Sequence, residues 1–221
     1  MPARGAASIQ FFSKNGLAIS FDAAGDFSTF EVYDVNSGKL KWKYFFGDNK
    51  RDRSGGKKYN NLKGGNPWGG ISLDKERGIV FITTGNPSNY FDGTQRPGLN
   101  YNSNSIIAIS LLEKKQIWSF QETFHDIWNF DTPTAPILLD TDAGPIVAQA
   151  TKQGYVYVFN RETGEPIWPI EEVAMPASTV PGEQLSATQP IPTKPAAFEY
   201  TGSGEELLVD FTPELKRQAL Q

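Results

Sequence analysis

The chain has 221 residues, 38% of them hydrophobic and 13% aromatic, a formal charge of -4 and no cysteine. The missing cysteines exclude a disulfide framework and a thiolate zinc centre; the negative balance argues against a nucleic-acid partner, since no overall field draws in phosphates; and no apolar run approaches the length of a membrane span. The 21 glycines and 15 prolines mark many turns between short elements, which favours an all-β fold over a helical one.

In chain order, the N-terminal stretch is broken by Ser8, Gln10, Ser13 and Lys14. Without an uninterrupted apolar core it is not expected to act as an export signal. The first unit follows, with strand candidates at Ser8–Phe12, Gly16–Phe21, Thr29–Val35 and Lys39–Phe45. The second has candidates at Trp68–Leu73, Gly78–Thr84, Ser105–Ser110 and Gln116–Phe120. The third has Ala135–Leu139, Pro145–Ala150, Tyr155–Asn160 and Pro166–Trp168.

Each unit ends on the same hairpin. Asp34, Ser110 and Asn160 each stand eight residues before a tryptophan, Trp42, Trp118 and Trp168. Gly38 and Gly164 lie four residues before theirs, where glycine supplies a left-handed turn residue; Lys114 takes that place in the middle copy. A recurring unit of this size points to a propeller, solenoid or array, and four strands per unit is the size of a propeller blade. The sequence therefore predicts an all-β fold: a β-propeller segment of about three four-stranded blades with Trp-ended hairpins, over about 7–46, 68–121 and 133–168 within residues 1–168. The three tryptophans read as structural, docked between neighbouring sheets. Residues 169–221 read as an extended crossing segment, Pro- and Gly-rich over Glu171–Pro195, and the start of a further element. There Thr212 is a candidate helix cap, with Pro213 in the first turn.

Two loops interrupt the units. Gly47–Pro67 carries Lys50, Arg51, Arg53, Lys57, Lys58 and Lys63, diluted by Asp48 and Asp52, and reads as a solvated loop. Pro87–Asn104 is too long for a hairpin turn, and long loops in compact folds tend to be functional.

The residues able to carry chemistry cluster where strands end. Trp68 sits at the start of a unit's first strand, the strand that lines the channel of a propeller. It reads either as a packed core aromatic or as a floor for a planar ligand. Asn86, in Gly85-Asn86-Pro87, is either a turn residue or a carbonyl ligand for a hard cation such as Ca²⁺. His125-Asp126-Ile127-Trp128-Asn129-Phe130-Asp131 packs His, Asp, Trp, Asn and Asp into seven residues. His125 is the chain's single histidine and reads as a hydrogen-bonded structural residue; Asp126 and Asp131 are candidate bases. Lys152 is either a turn lysine in solvent or a cation for an anionic ligand. There is no P-loop, dinucleotide fingerprint or glycosylation sequon.

Taken in order, these motifs resemble the pyrroloquinoline-quinone (PQQ)-dependent dehydrogenases, the quinoprotein alcohol and glucose dehydrogenases. The resemblance is carried by the Trp-ended hairpins, Trp68-Gly69, Thr84-Gly85-Asn86-Pro87, Arg96-Pro97-Gly98, His125-Asp126-Ile127-Trp128 and Thr151-Lys152-Gln153-Gly154. The tail, with Pro169-Ile170-Glu171-Glu172, Pro181-Gly182-Glu183 and Thr188-Gln189-Pro190, looks most like the membrane glucose-dehydrogenase branch.

The resemblance implies an eight-bladed propeller, PQQ lying flat on Trp68, Ca²⁺ held by Asn86, and Lys152 on the quinone oxygens. It implies oxidation of a sugar or alcohol hydroxyl: an aspartate takes the hydroxyl proton and hydride passes to the quinone with Ca²⁺ assistance. It also implies a quinone or cytochrome electron acceptor and a periplasmic location. The family's aspartate base falls on Asn129 here. A neutral amide cannot be that base, so either Asp131 or Asp126 replaces it or catalysis is impaired, which keeps a cofactor-free binding scaffold as the alternative. The carboxylate calcium ligand has only Asp22 and Asp26 nearby. Three blades do not close a ring, so self-association through open blade edges is expected.

Overall fold

The computed structural model describes residues 9–12, 16–21, 29–45, 64–142, 144–200 and 204–221. The basic residues of the loop after Phe45, and Asp22 and Asp26, lie outside the described residues.

Three antiparallel sheets follow one another along the chain. The first holds β1 (Ile9–Phe12), β2 (Leu17–Phe21), β3 (Thr29–Asp34) and β4 (Leu40–Phe45) in sequential order. The second holds β5 (Ile71–Asp74), β6 (Ile79–Thr83), β7 (Ser105–Ser110) and β8 (Lys115–Gln121), also in sequential order. The third holds β9 (Ile137–Thr141), β10 (Gly144–Ala150) and β11 (Val156–Asn160). This is the meander of a propeller blade, repeated.

The third sheet stops one strand short of the expected four. The segment expected as its last strand is reduced to a single bridge, Phe159 to Pro166. Pro166 has no N–H to give to a ladder, and Pro169 removes the next donor but one after Ile167. The tail holds a second difference: in place of an extended crossing, β12 (Ile170–Ala174) pairs antiparallel with β13 (Thr188–Pro192). Pro190 and Pro192 are tolerated because β13 has only one neighbour. Further on, α1 (Pro213–Ala219) starts as the sequence predicts, with the Thr212 side chain accepting from Leu215 N.

The middle sheet is covered on both faces, and every residue of β6 and β7 is buried. Alternation sends Val80, Ile82, Ile107 and Ile109 toward Ile19, Phe30 and Val32 of the first sheet. Ile79, Phe81, Ile106 and Ala108 meet Val147, Tyr157 and Phe159 of the third. Continuous Ile/Val/Phe runs are what a strand buried on both sides requires.

One turn device recurs. Asp34 Oδ1 accepts from Asn36 and Ser37 N, Ser110 Oγ from Glu113 N, and Asn160 Oδ1 from Glu162 and Thr163 N. The short polar side chain thereby substitutes for a backbone acceptor at the strand end. Four residues on, Gly38, Lys114 and Gly164 are all left-handed, at φ 65°, 57° and 74°. Lys114 adopts the glycine conformation at some cost.

Trp118 docks across the sheet boundary, as its structural reading requires. Its Nε1 donates to Arg161 O at 3.0 Å, and its ring lies against Phe81 and Phe159. A Cβ at Gly164 would lie 2.6 Å from the Trp118 ring, so glycine there serves the docking as well as the turn.

Candidate functional site

The segments that leave β6, β8 and the entry to β5 meet at one end of the second sheet. Gly64 pairs with Pro87, Gly65 N donates to Asn86 O, and Gly85 N donates to Asn66 O. Two crossing loops are thus zipped backbone to backbone. A Cβ at Gly85 would lie 2.8 Å from Trp68 Nε1 and closer still to Asp131 Oδ1. This glycine is what lets the tryptophan and the carboxylate close over the strand end.

Asp131 is the hub. Its Oδ1 accepts from Trp68 Nε1 at 3.2 Å and from Asn86 N at 2.9 Å, and its Oδ2 pairs with Lys152 Nζ at 3.1 Å. Lys152 Nζ also donates to Asn129 O at 3.0 Å and stands 6.0 Å from the Trp68 ring centroid. Asn129 is left-handed, at φ 62°, and its side-chain oxygen accepts from Asn86 Nδ2 at 3.2 Å. An open cavity of about 310 Å³ is lined by Trp68, Asn86, Tyr90, Asn129 and Asp131 with Gly64, Gly65, Asn66 and Gly85. Trp68 is 50% exposed beside it.

Five of the six residues singled out from the sequence therefore come together: Trp68, Asn86, Asn129, Asp131 and Lys152. Asp126 does not line the cavity. It is fully buried, accepting from Trp128 N, Phe130 N and Asn104 Nδ2. Burial pushes its carboxyl above the usual range, opposed by those hydrogen bonds and by Arg96. It shapes the loop from within. Arg96 is buried with it, bonded to Asn100 Oδ1, Asn89 O and Asp126 O, and burial lowers its pKa. The long loop 87–104 is organised around this guanidinium, with Asn89, Asn100, Asn102 and Asn104 all left-handed.

Sequence reasoning missed three participants. Tyr90 lines the cavity from the long loop, and nothing in its local pattern marks it. Asn104 ties Asp126 to Phe130 O. Glu122 is buried at the end of β8, takes a hydrogen bond from Thr132, and is pushed up to about 8 by desolvation. The run Gln121-Glu122-Thr123 gives no hint of burial, because the covering groups come from distant segments.

Among the described residues no group of three or more His, Cys, Asp or Glu side chains could hold a metal. The donor set at the cavity is instead one carboxylate with amide oxygens. The Asn86 amide faces the Asp131 carboxylate, and its nitrogen, turned that way, donates to Oδ2 at 2.8 Å. One carboxylate beside the amide side chains of Asn86 and Asn129 is a set of hard oxygen donors that suits a cation preferring oxygen and taking further ligands from a bound molecule. The half-exposed Trp68 ring with Lys152 at its side suits a flat anionic molecule.

The repeated antiparallel sheets, with a cavity where their strands end, define a β-propeller segment. The family profile "PQQ: Glucose/ethanol/alcohol dehydrogenase, beta-propeller domain" matches residues 21–221, and the chain belongs to that family. It is 34% identical over 172 residues to quinoprotein glucose dehydrogenase A of Acinetobacter calcoaceticus, covering 72% of this chain and 21% of that protein. Glycerol dehydrogenase large subunit of Gluconobacter thailandicus is 31% identical over 167 residues, covering 72% and 22%. The chain thus spans about a fifth of the length of these relatives. Quinohemoprotein alcohol dehydrogenase from Comamonas testosteroni superposes with a TM-score of 0.60 at 24% identity, over 80% of this chain and 30% of that one, and shows the shared fold. PQQ, the quinone implied by the sequence, is named in the description of this family. No helix among the described residues is long and apolar enough to cross a membrane.

Proposed function

We propose that this chain forms part of a PQQ- and Ca²⁺-dependent dehydrogenase that oxidises a hydroxyl of a sugar or an alcohol and passes electrons to a quinone or a cytochrome in the periplasm. The observation that carries the reading is the Asp131 hub. One carboxylate touches the cofactor floor Trp68, the backbone of Asn86 and the ammonium of Lys152. Residues 1–168 supply three blades of the propeller, and 169–221 belong to the same domain. Since propellers close with about four to eight blades, turnover belongs to a ring that includes more blades than these three.

Each residue has a role that its position supports. Trp68 offers a flat face, fixed in rotation by its bond to Asp131. Asn86 and Asp131 are the oxygen-bearing side chains available to a cation. Lys152 sets a positive charge beside the ring face, where it can meet the oxygens of an anionic cofactor. When bound, the quinone supplies the hydride acceptor and the cation polarises it. Asn129 lacks a basic lone pair for proton abstraction, so the base at this site is Asp131, the carboxylate that reaches the cavity wall. Asp126 is buried inside the loop and does not line the cavity.

The test is titration of the chain with PQQ and Ca²⁺, followed by tryptophan fluorescence. Quenching that is saturable and disappears in Trp68→Ala is expected. An unchanged signal, or quenching that survives the substitution, would overturn the cofactor role. A cofactor-free scaffold is the second reading, favoured by Asn129; dye-linked oxidation of any sugar or alcohol by the longer protein would reject it.

A further inference from the structure

The loop that presents Asn129 and Asp131 is held at its root by the tail. Gln189, on β13, makes a two-point bond to Phe124: its Oε1 accepts from Phe124 N at 2.8 Å and its Nε2 donates to Phe124 O at 2.7 Å. That side chain reproduces a strand pairing at the third residue after β8. Glu183, in the β12–β13 connection, holds the next residue. Its Oε1 is 2.7 Å from His125 Nε2, and its Oε2 accepts from Gly93 N at 2.6 Å. Both side chains of this pair are at least 98% buried. The other ring nitrogen, His125 Nδ1, donates to Gly98 O at 2.7 Å. A carbonyl can only accept, so Nδ1 carries a hydrogen, and the bond between Nε2 and Glu183 takes a further proton on one of the two groups.

We propose that the β12–β13 hairpin is a clamp for the site loop, with Glu183 and Gln189 as positioning residues that fix Phe124 and His125 and, through them, Asn129 and Asp131. The proposal rests on the reading of the cavity as a cofactor site.

Three further observations support it. His125 and Asn129 are both left-handed, at φ 46° and 62°, a conformation that persists only where the surroundings over-determine it. The clamp and the internal bonds of Asp126 are the surroundings that do so. Second, a Cβ at Gly93 would run into His125 Nε2 and lie 2.6 Å from Glu183 Oε1, so the long loop is shaped to admit this pair. Third, the two strands of the hairpin differ: four of the five residues of β12 are exposed, whereas β13 is the attached strand, with Gln189, Pro190 and Pro192 buried. Gln189 on that strand and Glu183 before it direct polar bonds at two consecutive loop residues.

The experiment is hydrogen exchange on the whole chain without cofactors, on wild type, Glu183→Gln, Glu183→Ala and the double variant Glu183→Ala with Gln189→Ala. The double variant should exchange the amides of residues 124–131 at least about 10-fold faster while β6 and β7 keep their protection. Glu183→Gln should behave as wild type, because the amide nitrogen can donate to His125 Nε2 and the amide oxygen can accept from Gly93 N. Fluorescence titration with PQQ and Ca²⁺ should then show about 10-fold weaker binding by the double variant, in the range typical of groups that orient ligands, and unchanged binding by Glu183→Gln. Unaltered exchange at 124–131 in the double variant, or equal loss of protection in β6 and β7, overturns the clamp. A wild-type chain that binds no PQQ overturns the reading of the cavity, and the exchange pattern alone then decides the clamp.

Discussion

At the scale of single residues, the proposed cation site is tested most directly by charge at position 129. Asn129 Oδ1 already lies beside Asn86 and on the same loop as Asp131. Calcium affinity follows the number of charged ligands, so Asn129→Asp is expected to tighten Ca²⁺ binding roughly 10-fold, read by calorimetric titration with PQQ present. An unchanged Kd would place residue 129 outside the cation's reach. Glu122 supplies a second prediction. Its carboxyl is raised from 4.5 to about 8 by burial, so the folded chain holds a proton that the unfolded chain gives up. Stability from this group is full below about pH 4.5 and declines as pH rises to about 8. The whole shift corresponds to an upper bound of about 5 kcal/mol. Glu122→Gln, a neutral side chain that still accepts from Thr132, should remove most of that slope. Urea midpoints at pH 5 and pH 8.5 in both proteins measure it, and equal slopes would refute it. The grouping of Trp68, Asn86, Asn129, Asp131 and Lys152 was legible in the sequence because all lie in connections between strands, Trp68, Asn86 and Lys152 within three residues of β5, β6 and β10, and Asn129 and Asp131 in the motif between β8 and β9. The burial of Asp126 and Glu122 was not, because the groups that cover them, Arg96, Asn104 and Thr132, lie on separate segments.

At the scale of elements, the polar-residue-to-glycine turn was readable because it recurs with a tryptophan at fixed spacing. The same turn opens β6 without a tryptophan and escaped notice: Asp74 Oδ1 accepts from Glu76 and Arg77 N, and Gly78 is left-handed at φ 66°. Asp74 does more than cap. Its other oxygen takes Arg161 Nη1 at 3.1 Å, and Arg161 is also the residue whose carbonyl receives Trp118. The turn of the second sheet and the docking tryptophan are therefore joined through one arginine of the third. Trp118→Ala is expected to cost about 3–5 kcal/mol, as large aromatic truncations in cores do. Gly164→Ala should also destabilise, because its Cβ would meet the Trp118 ring and its φ is left-handed. In the Trp118→Ala background most of that steric cost should vanish. A double-mutant cycle by urea unfolding measures the coupling, and strict additivity would show that the two residues do not interact. The missing fourth strand of the third sheet had a signal in the sequence, the prolines at 166 and 169, but the repeat pattern outweighed it.

At the scale of the whole molecule, the three sheets are unequal. Among the described residues, the second is buried on both faces, whereas the third has a partner on one. Leu138 turns toward the second sheet, so its neighbours Ile137 and Leu139 turn away and are 57% and 45% exposed. Ile146, opposite Leu139 in the register, shares that outer face, and Ile167 nearby is also exposed. The face is apolar for the same reason as its counterpart on β6 and β7: in a stack of blades each sheet expects a neighbour. Burying such a side chain is worth about 1.5–3 kcal/mol, and association costs at least several kcal/mol in lost freedom. A few such residues thus give weak, concentration-dependent contact. The isolated chain should self-associate through this face, with a weight-average sedimentation coefficient that rises between low and high micromolar protein. Ile137→Glu together with Leu139→Lys should return it to monomer, since two opposite charges on a solvated face are harmless in the monomer and costly when desolvated. A wild-type chain that sediments as a monomer at every concentration would mean that this face is covered within the chain itself.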